Sequence, residues 1–60
     1  MKILQIVRDG FTYRFTDLIQ VGDHYLAHQI RDDNTVGKME HRITPQEYNN
    51  GMITESDNTK

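Results

Sequence analysis

Cysteine and tryptophan are both missing from this 60-residue chain, and proline occurs once. Without cysteine there is no disulfide and no thiolate zinc site, two of the usual reinforcements of a very small domain. No stretch approaches the roughly 20 apolar residues that span a bilayer, so no membrane segment is expected. The residues after Met1 lack the uninterrupted apolar core of an export signal, and a cytoplasmic setting is expected. Basic charge is scarce as well. Seven Lys and Arg stand against nine Asp and Glu, a net charge of −2, whereas sequence-independent nucleic-acid binding leaves a basic footprint. Glycine-rich phosphate loops, nucleophile elbows and zinc-binding patterns are all absent.

What is present is a strand pattern with its turns written in. Asp9-Gly10 follows the apolar run Ile3-Leu4-Gln5-Ile6-Val7 and precedes the alternating run Phe11-Thr12-Tyr13-Arg14-Phe15-Thr16. Asp-Gly supplies the two positive φ angles of a type I′ hairpin turn. A two-residue turn there sets Arg8 opposite Phe11, Ile6 opposite Tyr13 and Leu4 opposite Phe15. Leu4, Ile6, Phe11, Tyr13 and Phe15 then share a core face. Ile3, Val7, Thr12, Arg14 and Thr16 share the other. The first strand is apolar on both faces, so something beyond the hairpin must cover Ile3 and Val7. That strand is also a possible sheet edge.

Residues 17–30 admit two readings. As a helix, Leu18, Val21, Tyr25 and His28 form a stripe that Gly22 interrupts at a cost of about 1 kcal/mol. As strands, Gly22-Asp23 is a hairpin turn of the II′ kind that sets Val21 against His24 and Ile19 against Leu26. Periodicity and turn chemistry favour strands. Arg31-Asp32-Asp33-Asn34-Thr35 is a polar turn, and residues 36–43 read as a fourth strand with Gly37 as a bulge. Thr44-Pro45-Gln46-Glu47 is a capping box with proline at the first helical position. It predicts a short helical turn over residues 45–49, with Ile43 and Tyr48 as a hydrophobic staple and Gly51 as a left-handed stop. Met52 and Ile53 form a last short strand. Residues 1–53 are read as a single small β domain and residues 54–60 as a polar, disordered tail.

Four strands, a helical turn and a final strand are the plan of a small SH3-like barrel or a bent antiparallel sheet of about five strands. Pro45-Gln46-Glu47-Tyr48 resembles the Pro-x-x-Tyr turn before the last strand of SH3 domains. That resemblance would place Pro45 and Tyr48 beside a polyproline groove, but the aromatic opening segment and the Trp of that family are missing. The length and opening strand are also similar to those of the carbon storage regulators, which bind RNA. Arg8 would match the Arg near their first turn, while their basic C-terminal-strand motif has no counterpart. Neither family is assigned.

The titratable residues give little chemistry. His24 and His28 would share a helix face, but on a strand they stand about 13 Å apart. His41 has no ligand pattern around it, so no metal and no cofactor are expected. Asp32-Asp33 belongs to a turn, and so short a chain has little room for a pocket of about 300–1,000 Å³. The chain is therefore expected to be non-enzymatic. The expected function is that of a small regulator or inhibitor, of the phage or plasmid accessory kind, which binds a host protein or a second copy of itself. The expected contact is an apolar β face of Ile3, Val7, Arg14 and Leu18. The alternative is a small RNA- or single-stranded-DNA-binding regulator that uses Arg14, Tyr25 and Arg42.

Overall fold

A computed structural model describes residues 1–55. Five strands and one helix follow in the order β1 (Lys2–Arg8), β2 (Phe11–Val21), β3 (His24–Ile30), β4 (Val36–Ile43), α1 (Pro45–Asn50) and β5 (Met52–Glu55). The strands make one antiparallel sheet, ordered β4-β3-β2-β1-β5. The fold is thus mainly β, as the strand reading of residues 17–30 requires. Between the two forms expected, it is the bent sheet and not the closed barrel.

The first hairpin has the register its turn dictates, from Arg8↔Phe11 to Leu4↔Phe15. Asp9 and Gly10 both have positive φ, 51° and 82°, as a type I′ turn needs. The second hairpin pairs Val21 with His24 and Ile19 with Leu26. Its register then shifts between Ile19 and Thr16, where Asp17 takes a φ of 58°. Such a bulge bends the strand and increases its twist. A second shift lies between β3 and β4 at His28/Ile30, opposite the stretch that contains Gly37.

The curl of the sheet is visible in contacts across it. In a flat sheet, β1 and β4 would lie about 14 Å apart, three strand spacings. Yet the Arg8 guanidinium on β1 donates to the Arg42 carbonyl of β4 at 2.8 Å. The ring of Phe15 on β2 lies 5.6 Å from that of His41 on β4. Inside the curl sits a small core of Leu4, Ile6, Phe15, Ala27 and Ile43, with Tyr13, Leu18, Tyr25 and Tyr48 packed around it. Thr16 is buried too, and its hydroxyl donates to the Lys2 carbonyl at 2.9 Å.

Four expectations are corrected. Phe11 has the core-face register but is 66% exposed. It stands next to the turn, where the hairpin overhangs the core, and the Arg8 side chain covers the core rim in its place. The first strand is no sheet edge along Lys2–Gln5, because β5 pairs with it there. Strand β5 continues through Thr54 and Glu55, two residues beyond the expected boundary of the domain. The rest of the expected tail, 56–60, lies outside the described residues.

The fourth correction concerns Gly51. The helix is capped as expected at its start: the Thr44 hydroxyl accepts from the Glu47 N–H at 3.1 Å, and the Glu47 carboxylate accepts from the Thr44 N–H at 3.0 Å. At its end, however, Gly51 is extended, with φ −79°, and not left-handed. Glycine is needed there for space. A Cβ would stand 2.6 Å from Leu4 Cδ1 and 3.0 Å from both the Gln5 carbonyl oxygen and Ile6 Cγ2. Leu4 is fully buried and Gln5 contributes backbone, so neither can step aside. Replacing Gly51 with Ala should lower stability by about 2 kcal/mol through overpacking, measured by urea denaturation. Unchanged stability would refute this close approach.

Candidate functional site

The position of α1 is set by one side chain, Arg8. Its guanidinium grips the Glu47 carboxylate with two bonds, Nε to Oε2 at 2.6 Å and Nη2 to Oε1 at 3.0 Å. Nη2 also donates to the Arg42 carbonyl, and the guanidinium carbon lies 5.7 Å from the Phe15 ring centroid. A forked, charge-assisted pair of this kind is directional and stronger than an ordinary surface ion pair. The Arg8 guanidinium, helped by the Thr44 N–H, holds the Glu47 carboxyl at a pKa of about 2, well below its usual 4.5. Glu47 raises the pKa of Arg8 in return. On the other side of the helix, Tyr48 stacks on Tyr25 with ring centroids 4.1 Å apart.

Held in this way, α1 forms one wall of a groove beside β1. Strand β5 pairs only with Lys2–Gln5, so Ile6–Arg8 have no β5 partner and face the helix instead. The opening has a volume of about 440 Å³. Val7 and Met52 supply its apolar surface, and they are 65% and 64% exposed. The register puts Met52 directly opposite Gln5, hence diagonal to Val7 on the same face of the sheet. Gln46 and Asn50 from the helix, with Gln5 from β1, offer side-chain amides around this apolar patch.

The residues expected to form a partner-binding face separate. Val7 is where the hairpin register puts it, exposed at the groove. Ile3 is half-buried. Leu18 packs against the core cluster and is not part of the Ile3/Val7 face, because the bulge between Thr16 and Ile19 intervenes. Arg14 is occupied within the fold. Its Nη2 donates to the Arg31 carbonyl at 3.0 Å and to Asn34 Oδ1 at 3.2 Å, which ties β2 to the β3–β4 turn. Met52 was missed by sequence reasoning. The signal was faint: an isolated Met after a helix-stopping Gly joins the Val7 face only once β5 pairs with β1.

The alternative nucleic-acid set is not brought together. Tyr25 is packed between Tyr48 and the core, Arg14 anchors a turn, and Arg42 is exposed on the edge strand β4. The histidines fall on β3 as the strand reading requires. His24 Nδ1 lies 3.3 Å from Asp23 Oδ1, and His28 Nδ1 lies 3.1 Å from Asp17 Oδ2. Among the described residues, no group of three or more His, Asp or Glu side chains is gathered as a metal site, and no helix is long and apolar enough to cross a membrane. No protein-family model, curated protein or solved structure matches the chain.

Because the Glu47 carboxyl has a lowered pKa in the folded state, its contribution to stability is complete above pH 5. It is lost as pH falls through 4.5 toward 2. After discounting for a side chain that is 25% exposed, the loss between pH 7 and pH 3 should be about 1–2 kcal/mol. Glu47→Gln should lack this component, so the pH dependence of its urea midpoint should be shallower than that of the wild type. Identical slopes would show that the ion pair adds nothing. At pH 7, Arg8→Ala should cost about 2 kcal/mol through loss of charge-assisted bonds.

Proposed function

We propose that this chain is a small, non-catalytic protein-binding regulator or inhibitor that docks on a host protein through the groove between β1, β5 and α1. The observation that carries this reading is the diagonal placement of Val7 and Met52, two large apolar side chains left mostly in water on one face. Scattered exposed apolar residues need no explanation, but adjacent ones in a concave setting rimmed by polar groups are typical of protein contacts. Met adds adaptability, since its unbranched side chain fits irregular partner surfaces. The groove's wall is fixed by the Arg8–Glu47 pair, so little ordering is needed when a partner arrives.

This contact differs from the one expected from the sequence. Val7 stays in it, Met52, Gln5 and Gln46 join, and Ile3, Leu18 and Arg14 leave. A nucleic-acid role has less support, because Arg14 and Tyr25 are both engaged within the fold.

The test is retention of partners from host lysate on the immobilised chain, with and without nuclease. The expected result is a nuclease-resistant protein partner that is lost by Val7→Asp and by Met52→Asp. Both positions are exposed, so both variants should keep the wild-type melting temperature. Equal retention by the Asp variants would overturn the groove. Retention that disappears with nuclease would turn the reading toward nucleic acid.

A further inference from the structure

The outer edge of the sheet carries a second surface, distinct from the groove. Strand β4 ends the sheet on the side opposite β5, so one side of its backbone has no strand partner among the described residues. Edge strands of this kind are templates for further pairing unless they are blocked. Here a bulge opposite Gly37 and the charged side chains of Lys38, Glu40 and Arg42 are present, but the other blocking devices are missing. Residues 36–43 contain no proline, and the strand is eight residues long. Met39, at its centre, is 72% exposed, more than any other large apolar side chain described. On either side of it stand Lys38 and Glu40, both exposed.

This arrangement is complementary to itself. When two antiparallel copies of β4 meet about a two-fold axis at Met39, Lys38 of each stands opposite Glu40 of the other. The same charge pair therefore forms twice. Met39 meets Met39 at the axis, and Val36 faces Arg42 at each end. Shifting the axis by one residue to Glu40 would oppose Glu40 with itself and Lys38 with Arg42, a like-charge arrangement that is destabilising. Shifting it further to His41 would leave only residues 39–43 to pair, because Thr44 is already the cap of α1. The Met39 axis thus pairs residues 36–42 and opposes no like charges. A two-fold contact of this type uses one patch on both subunits and closes on itself.

We propose that β4 is a homodimerisation edge, on which a second copy of this chain adds its own β4 antiparallel in the register Lys38↔Glu40. The two sheets then continue into one another. The groove beside β1 and the β4 edge share no residue. The proposal is independent of the partner reading, and the two rest on different residues.

Charge reversal tests it directly. Lys38→Glu alone should place Glu opposite Glu twice, and Glu40→Lys alone should place Lys opposite Lys twice. A mixture of these two variants restores both opposite-charge pairs. Sedimentation equilibrium at low ionic strength should show a dimer for the wild type and about tenfold or more weaker self-association for each single variant. The equimolar mixture should recover dimer. Circular dichroism should be unchanged, since both side chains are exposed. A wild-type chain that stays monomeric at every concentration, single variants that associate as well as the wild type, or a mixture that fails to recover would each overturn the proposal. Loss of dimer in Glu40→Lys but not in Lys38→Glu would also overturn it, by assigning the Glu40 partner to Arg42.

Discussion

A curled sheet that does not close depends on something to hold its ends together, and here Arg8 does so. Among the described residues six apolar side chains are buried, five of them in one cluster, each contributing about 1.5–3 kcal/mol at most when fully buried, and less for Ala27. That is a small reserve against the conformational entropy of so many ordered residues. The Arg8 guanidinium sits over the core rim, above Phe15, and joins three parts of the chain that are distant in sequence: the end of β1, the end of β4 and the first turn of α1. A six-residue helix has no stability of its own in water. It persists because its first turn is capped by Thr44, its carboxylate is held by Arg8 and its Tyr48 lies on Tyr25.

Glu47 serves two structures at once. It completes the capping box and also receives the guanidinium. The same residue therefore couples the helix to the sheet, and the helix to the groove that it walls. The groove's shape is a consequence of this coupling. Gly51 acts at the other end of the helix, where the absence of a side chain lets the backbone come against Leu4 and Gln5 and begin β5 in register with β1. Between these two anchors, Met52 is delivered to the face that carries Val7.

The two surfaces left over are of different kinds. One is a concave apolar patch with amide groups around it, the contact proposed for a foreign protein. The other is a strand edge whose charges repeat with opposite sign across a central Met39, the contact proposed for a second copy. Both come from the open form of the sheet. A closed barrel would have paired the β4 edge and removed the second surface.

Much of the backbone was legible in the residues. Asp9-Gly10 dictated a register that runs through five pairs, because a two-residue turn leaves no freedom in what faces what. Gly22 and the Thr44–Glu47 box acted over similarly short distances. At the groove, the exposure of Val7 was legible, because the strand's period of two placed it outside the core. The place of Met52 beside it was not, nor were the packing of Leu18 against the core and the engagement of Arg14 and Tyr25 within the fold. Arg8 and Glu47 are 39 residues apart, and nothing local to either announces the other. The sequence alone thus determined turns, caps and alternation, which are interactions among near neighbours. Tertiary structure decided the curl, the reason for Gly51 and the use of the arginines, because bulges redirect strands and a long guanidinium reaches partners that only the folded chain brings near.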